Sequence, residues 1–379
     1  MIYLDNSATT IPDPSVMKSF EQASTQYFAN PSSIHQLGGH SEHLLTKAKN
    51  QVASILDVTP SEVIFTSGGT EGNNTAIKGI ALEHRKRGKH IITTEIEHPS
   101  VYDACKSLED LGFEVTYLPV NKNGVISIED LEAAIRKDTI LISIMHVNNE
   151  IGTIQPIEKI GEICKQFPKL FLHVDHVQGF GKVPLELRNS GIDLCTLSGH
   201  KIHGLKGTGI LYMRQGVNLF PLFHGGNQEQ SFRSGTENLA GAVSLGKALR
   251  LIKEKEQTQG TELRSLQAIL REKLTEIAEV QINTPPEAAP HIMNFSVPGT
   301  KPEVIIHMLG EQEVYISTKS ACSSKQKEES RILLACGYSK ERASSAYRVS
   351  MSYSTTEEDI LLFADYLQQA INQFRKVME

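Results

Sequence analysis

Apolar residues recur along the chain with two different spacings, and these predict alternating strands and helices. Between about residues 40 and 215, short aliphatic runs alternate with the stretches Ser41–Leu56 and Thr75–Arg87, whose apolar residues each share one helix face. This alternation favours an α/β domain built on a largely parallel sheet. The predicted strands are Glu62–Thr66, His90–Thr94, Thr139–Met145, Leu170–Val174, Asp193–Leu197 and Gly209–Met213.

The pattern changes after about residue 250 and predicts a smaller α+β unit. We therefore expect two domains, a large one over 13–250 and a small one that combines 1–12 with 251–379. The elements predicted in the second part are a charged helix from Ala248 to about Val280, strands near His291–Val297 and Glu313–Ser317, and a last helix over Thr356–Val377.

Composition and charge exclude several classes of protein. The 379 residues, 39% hydrophobic and 22% charged, are typical of a globular protein, and the net charge of −6 gives no basic stripe for nucleic acid. The longest apolar runs, such as Ile140–Met145, are too short to cross a membrane, and the N-terminus lacks the pattern of a signal peptide. Five cysteines, an odd number, do not suggest a disulfide framework. We expect a cytoplasmic protein.

A lysine lies in a small-residue segment directly after one of the predicted strands. The segment runs from Ser198 through His200 and Lys201 to Gly209. An enzyme that uses pyridoxal 5′-phosphate (PLP) needs one lysine at a fixed point to bind the aldehyde, with small polar groups nearby for the phosphate. Taken alone, Lys201 also fits a surface lysine of a glycine-rich turn.

An aspartate follows the preceding apolar strand. The run Phe171–Gln178 delivers Asp175 to a sheet edge, where a carboxylate can pair with a pyridine nitrogen. Gln178 is placed to donate to the phenolic oxygen of such a ring. The alternative for Asp175 is an N-cap on the next helix.

Two further segments have the residues of a cofactor site. Thr66–Asn74 is a glycine-containing turn between a strand and a helix, where backbone N–H groups bind phosphate. His98 follows the next strand and can stack on a flat cofactor, although a lone histidine is more often structural. The spacings His173-x-Asp175-His176 and His200-x-x-His203 resemble metal ligands, but no CxxC accompanies them and we expect no metal site.

One cysteine differs in its surroundings from the others. Cys322 lies among small and charged residues in Ser317–Ser330, a context that favours a reactive thiolate, whereas Cys195 and Cys336 lie in apolar stretches typical of buried cysteines. Arg348 can bind a substrate carboxylate with two hydrogen bonds, or it can form an ordinary ion pair.

Taken in order, these segments resemble the cysteine desulfurases of the NifS/IscS type, fold-type I PLP enzymes related to aspartate aminotransferase. The resemblance covers nearly the whole chain. Its further blocks are Tyr3–Thr10, Asn30–His35, Glu97-His98-Pro99, His146–Gly152 and Arg233–Thr236.

The resemblance implies a role for each candidate residue. Lys201 would be the Schiff-base lysine, His98 would stack on the ring and take part in proton transfer, and Arg348 with Asn149 would bind the substrate. Cys322 would accept sulfur as a persulfide, and Thr236 would reach the phosphate from the other chain of a homodimer. The remaining cofactor contacts implied are Gly69, Thr70, Asn149, Asp175, Gln178, Ser198 and His200.

The function implied is conversion of L-cysteine to L-alanine, with transfer of the sulfur from Cys322 to an acceptor protein. Acceptors for iron–sulfur clusters, tRNA thiolation and thiamine synthesis all fit, and the short sequence after the last predicted helix favours a dedicated tRNA or thiamine sulfurtransferase. Alternatives are a selenocysteine lyase, a transaminase or a non-catalytic scaffold on the same fold. Departures from the family pattern include Ser7, His176, Leu205, Lys319 and Met351-Ser352, none of which removes a group that the chemistry needs.

Overall fold

A computed structural model describes residues 1–318 and 329–378. Its helices are α1 (Pro14–Gln26), α2 (Gln36–Leu56), α3 (Gly69–His84), α4 (Pro99–Glu109), α5 (Ile128–Ala134), α6 (Ile157–Cys164), α7 (Leu239–Glu276), α8 (Pro302–Glu311), α9 (Arg331–Ala335), α10 (Lys340–Ser344) and α11 (Glu357–Met378). Its strands are β1 (Ile2–Tyr3), β2 (Val63–Thr66), β3 (His90–Thr94), β4 (Glu114–Leu118), β5 (Thr139–Met145), β6 (Phe171–Asp175), β7 (Leu194–Ser198), β8 (Gly209–Met213), β9 (Gln281–Ile282), β10 (Ile292–Ser296), β11 (Val314–Tyr315) and β12 (Ala346–Ser350).

The large sheet confirms the predicted α/β architecture. Its order is β2-β8-β7-β6-β5-β3-β4, with β8 antiparallel to both neighbours and the other pairs parallel. All seven residues of β5 are buried, as expected for a strand covered on both faces by helices. Strand β4 was not predicted. It lies at the edge of the sheet, and its mixed sequence Glu114–Leu118 is only partly buried.

The second half of the chain builds a separate apolar core with the N-terminus. Ile2 and Leu4 pack in one buried cluster with residues between 263 and 374. Strand β1 pairs with β11, and β10 lies between β9 and β12. Helix α7 runs without a break through residue 250, so the two predicted domains would share this helix. The domain boundaries stay a prediction.

Several candidate segments lie at the carboxyl ends of strands that run parallel to one another in this sheet. Asp175 is the last residue of β6, Ser198 is the last residue of β7, and Gly68 links β2 to α3. Gly68 has φ +146°, a conformation that residues with a side chain rarely adopt. The sheet therefore brings these three chain segments to one edge. Within the described residues, no helix is both long and apolar enough to span a membrane.

Two glycines test the packing around the sheet. A Cβ on Gly161 in α6 would lie 1.6 Å from the Ser190 carbonyl oxygen, whereas a Cβ on Gly260 in α7 meets nothing within 4 Å. We expect Gly161→Ala to lower the thermal unfolding midpoint, because overpacking costs roughly 1–3 kcal/mol. Gly260→Ala is the matched control. It should leave the midpoint unchanged or raise it, since alanine favours a helix interior by about 1 kcal/mol. Equal midpoints for the two variants in a thermal scan would contradict the described packing.

Candidate active site

A pocket of about 160 Å³ lies at the edge of the sheet where these segments meet. Most of the residues that the sequence singles out contribute to it. Its lining consists of Ser7, Ala8, Gly69, Thr70, Asn73, His98, Ser100, Met145, Val147, Asn149, Asp175, Val177, Gln178, Ser198, His200, Lys201 and Arg348.

Lys201 is held by the backbone of the N-terminal segment. It lies in the single helical turn that follows β7, and its Nζ donates to the carbonyl oxygen of Ala8 at 2.7 Å and to that of Ser7. The backbone of the neighbouring His200 accepts a hydrogen bond from the N–H of Thr10 at 2.9 Å. The lysine therefore has a defined position at the pocket wall.

Asp175 is buried, and hydrogen-bond donors fix both of its carboxylate oxygens. The backbone N–H of Val177 donates to Oδ1 at 3.0 Å, and Nδ2 of Asn73 donates to Oδ2 at 2.8 Å. Gln178 lies one turn further on and donates from Nε2 to the Ser7 carbonyl at 3.0 Å. An amide NH2 group has two N–H donors, so this contact uses one of them.

The N-terminus of α3 lies beside Ser198 and His200. The first N–H groups of a helix have no partner within the helix, and they carry a partial positive charge. Gly69 and Thr70 are the first two residues of α3 and line the pocket. Burial and the nearby Lys201 and Lys206 lower the pKa of His200 to about 4, so its imidazole is neutral near pH 7.

His98 is the N-cap of α4 and half-buried in the pocket wall. Its Nδ1 accepts from the backbone N–H of Ser100 at 3.2 Å and lies 2.8 Å from Ser100 Oγ. Burial is the largest influence on this imidazole and lowers its pKa, while the Asp175 carboxylate acts in the opposite direction.

Arg348 joins the two halves of the fold at the pocket. It lies in β12 and is only 1% exposed. Its Nη1 donates to the Asn149 carbonyl at 2.9 Å, and its Nη2 lies 3.0 Å from Oδ1 of Asp5. A buried guanidinium needs such partners, because an unpaired buried charge is strongly destabilising.

The remaining candidate residues lie elsewhere. Thr236 is exposed and does not line this pocket, although its neighbours Gly235 and Glu237 line a second cavity beside Thr66 and Ser67. Cys322 and Lys319 lie outside the described residues.

The histidines of the metal-like spacings make hydrogen bonds within the protein. His173 lies 2.8 Å from Ser143 Oγ and 3.0 Å from Thr196 Oγ1, and Nδ1 of His176 lies 2.9 Å from Nδ1 of His146. His203 Nδ1 lies 2.9 Å from the Ile11 carbonyl oxygen.

Comparison with known proteins identifies the family. The family model "Aminotransferase class-V" matches residues 2–363. A "NifS/IcsS protein homolog" from Lactobacillus delbrueckii subsp. bulgaricus is 44% identical over 100% of this chain and 99% of its own length. A "Cysteine desulfurase IscS" from Methanosarcina thermophila is 43% identical over 99% of this chain and 93% of its own. A solved "NIFS-like protein" superposes with a TM-score of 0.92 at 36% identity, covering 98% of this chain and 99% of that one.

The chain belongs to the class-V aminotransferases, in the NifS/IscS group. This membership confirms the predicted fold-type I architecture and PLP as the cofactor.

Buried polar atoms in the pocket fit this cofactor. Proteins satisfy nearly all of their buried polar groups, yet five atoms of the lining have no hydrogen-bond partner within the described part of the chain. The two hydroxyl groups and the guanidinium N–H can donate to phosphate, phenolic or carboxylate oxygens, whereas the two amide oxygens accept and need an N–H or O–H group of a ligand. The five atoms are Ser7 Oγ, Asn73 Oδ1, Gln178 Oε1, Ser198 Oγ and Arg348 Nε.

Sequence reasoning missed several residues around this pocket. Asn73, Ser100 and Asp5 each touch a candidate residue directly. Asn73 and Asp5 lie inside segments that were singled out, the turn after β2 and the N-terminal block, but an amide or a carboxylate there has many possible structural roles. Ser100 lies two residues after His98, and this spacing alone does not indicate that the two side chains touch.

Glu97, beside His98, gives a test of the electrostatics around the pocket. Its side chain is only 1% exposed. Its Oε1 accepts hydrogen bonds from Thr94 Oγ1 at 2.8 Å and from the Met145 N–H at 3.0 Å. Its Oε2 has no partner among the described residues. Burial raises the pKa of this carboxyl to about 8. In the unfolded chain it ionises near pH 4.5, so from there up to about pH 8 folding requires proton uptake and stability falls as pH rises.

We expect Glu97→Gln to remove this pH-dependent loss. Relative to the unaltered protein, the free energy of unfolding of the variant should increase between pH 5 and pH 8 by up to about 1.4 kcal/mol per pH unit. The difference between the two thermal midpoints should rise with it. Thermal scans across this range measure it, and Glu95→Gln serves as the control because Glu95 is partly exposed. A midpoint difference independent of pH would show that Glu97 is already ionised in the folded state.

Proposed function

We propose that this protein is a PLP-dependent cysteine desulfurase that transfers the sulfur of L-cysteine to Cys322. The observation that carries the proposal is the way in which the segment bearing Cys322 is attached. On its N-terminal side, Ser317 pairs with Arg348 through two backbone hydrogen bonds of 3.1 and 2.7 Å. Arg348 itself lines the pocket.

The C-terminal side of the same segment is also attached near the pocket, beside Asn149 and His98. Ser330 Oγ donates to Glu150 Oε2 at 2.6 Å, next to Asn149. Arg331 donates to the carbonyl of Glu97 at 2.6 Å and to that of Glu95, and its guanidinium lies 4.2 Å from the Tyr102 ring centre. Cys322 lies five positions after Ser317, and an extended chain of that length spans at most about 18 Å. This reach supports contact between Cys322 and a substrate in the pocket.

The other cysteines do not fit the role of sulfur acceptor. Cys105, Cys164, Cys195 and Cys336 are buried, and none of them lines the pocket. Burial raises the pKa of Cys164 and of Cys336 to about 12 and also raises the pKa of Cys105 and of Cys195. The reactive form of cysteine is the thiolate, so these four thiols are poor nucleophiles near neutral pH.

The residues of the pocket would hold PLP through separate parts of its structure. Lys201 would bind the aldehyde carbon, Asp175 would pair with the ring nitrogen, and His98 would lie against the ring. Asn149 and Gln178 would contact the side of the phenolic oxygen. The phosphate would lie at the start of α3, with Gly69, Thr70, Ser198 and His200 around it. When bound, PLP withdraws electrons from the Cα atom of an attached amino acid.

The chain's own residues would bind the substrate, transfer protons and accept the sulfur. Arg348 and Asn149 would bind the carboxylate of L-cysteine and orient its Cα–H bond. Lys201, as a neutral amine, would remove the proton from Cα and later return a proton to the product, with His98 as a second carrier. The Cys322 thiolate would attack the substrate sulfur, and the bond between that sulfur and Cβ would break. L-Cysteine and the Cys322 thiol thus give L-alanine and a persulfide, without an external oxidant.

The proposal extends to assembly, location and partner. A homodimer would explain why Thr236 is exposed and outside the pocket of its own chain. The unpaired state of the four described cysteines supports a reducing, cytoplasmic location. The persulfide would pass to an acceptor protein for tRNA thiolation, thiamine synthesis or iron–sulfur clusters. A selenocysteine lyase or transaminase would not need Cys322.

Cys322→Ser tests the sulfur acceptor. The variant should bind PLP and L-cysteine but release alanine roughly 100-fold more slowly or worse, because a serine hydroxyl is a poor nucleophile toward sulfur. Cys336→Ser is the matched control and should retain activity. In the unaltered protein, mass spectrometry after exposure to cysteine without reductant should find a gain of about 32 Da on the Cys322 peptide. Normal alanine release by Cys322→Ser would refute the proposed transfer.

Mixing two inactive variants tests the exchange of Thr236 between subunits. Lys201→Ala and Thr236→Ala should each lose most activity as pure proteins. If Thr236 acts on the partner's site, each mixed dimer combines both defects in one site and leaves the other intact. Random mixing should therefore restore about a quarter of the activity. No recovery in mixtures proven to contain mixed dimers would show that Thr236 acts within its own chain.

A further inference from the structure

A buried amide links two of the proposed cofactor contacts. Asn73 lies in α3 and is 1% exposed. Its Nδ2 donates to Asp175 Oδ2 at 2.8 Å and to Ser100 Oγ at 2.9 Å. An ionised carboxylate can only accept hydrogen bonds, so it fixes the amide with Nδ2 on this side. Both N–H groups of Asn73 are therefore committed.

The hydroxyl of Ser100 is thereby oriented toward His98. Because Ser100 Oγ accepts from Asn73, its own proton is available to donate to His98 Nδ1, 2.8 Å away. The backbone N–H of Ser100 donates to the same nitrogen at 3.2 Å. A ring nitrogen that accepts hydrogen bonds carries no proton, so the neutral imidazole must carry its proton on Nε2.

Protonation of Nδ1 would oppose both of these contacts. The added proton would point toward two donors, and one of them, the backbone N–H, cannot turn away. The charged groups around the ring are Asp175 and Asp103, which favour the imidazolium, and Lys201 and Arg331, which oppose it. Burial also opposes it, and the net effect is a lowered pKa for His98.

We propose that Asn73 and Ser100 are positioning residues that hold His98 as the neutral imidazole protonated on Nε2. In this form, His98 presents an N–H donor to the pocket and has no lone pair on Nε2 to act as a base there. The inference deepens the proposed function, on which it rests for the place of His98 beside PLP. It assigns proton abstraction at Cα to Lys201 alone and restricts His98 to donation from Nε2.

Nuclear magnetic resonance of histidine-labelled protein tests this assignment. The full-length protein is measured as purified and again after removal of the cofactor, and the loss of one signal in His98→Gln identifies His98. We expect ring nitrogen shifts of an unprotonated Nδ1 and a protonated Nε2. Ser100→Ala should raise the pKa of His98 by about one unit, because a donor to the neutral form is lost. Asn73→Ala should also raise the pKa of His98, but by less than Ser100→Ala does, since the Ser100 hydroxyl remains but is no longer oriented.

Two control variants separate this role from general effects on folding. Ser107→Ala removes another hydroxyl of α4, whose Oγ donates to the Ala104 carbonyl, and should leave the pKa of His98 unchanged. Ser100→Thr keeps a hydroxyl at the same place and should restore the original value. A proton on Nδ1 in the unaltered protein would overturn the proposal, and so would equal His98 pKa values in Ser100→Ala and Ser107→Ala.

The nuclear magnetic resonance measurements test the positioning role separately from the proposed activity. If the nitrogen shifts and pKa changes are as expected but cysteine yields no alanine, the proposed function fails and the positioning role stands. If alanine is formed while Ser100→Ala leaves the pKa of His98 unchanged, only the positioning role fails.

Discussion

The pocket depends on a short stretch of backbone, residues 4–10, that is hydrogen-bonded to both halves of the fold. On one side, the N–H of Leu4 donates to the Tyr315 carbonyl at 2.9 Å, and the N–H of Asn6 donates to the Ser350 carbonyl at 3.2 Å. On the other side, Ser7 and Ala8 accept from Lys201. Buried carbonyl groups must find partners, so this segment cannot shift without breaking contacts in both halves at once. The position of Lys201 is thereby coupled to the packing of the smaller core.

Arg348 reinforces this coupling from the opposite direction. Its backbone belongs to β12, while its guanidinium reaches Asp5 in the N-terminal segment and the Asn149 carbonyl in the loop after β5. The desolvation cost of a guanidinium that is 1% exposed is offset only while these partners stay in place. Arg348 therefore stabilises the arrangement of the two segments that hold it at the pocket.

The sequence predicts the elements and residues that local pattern determines. Strands β3, β5 and β8 occupy the predicted ranges, because each is a short run rich in aliphatic or β-branched residues. Asp175 and Lys201 could be singled out because the first ends such a strand and the second lies just after one. Helix α7 instead begins at Leu239, nine residues before the predicted start at Ala248, with Asn238 capping the N–H of Gly241. Asn73 and Ser100 could not be recognised, because their role exists only where α3 packs against α4.

The unpartnered polar atoms of the pocket connect ligand binding to the stability of the fold. A buried donor or acceptor without a partner costs about 1–3 kcal/mol, and five atoms of this pocket have no partner among residues 1–318 and 329–378. The fold tolerates them because the N-terminal segment, β12 and the ends of β6 and β7 fix the backbone that carries them. A ligand that satisfies them binds the folded state and not the unfolded chain, and so increases stability by mass action.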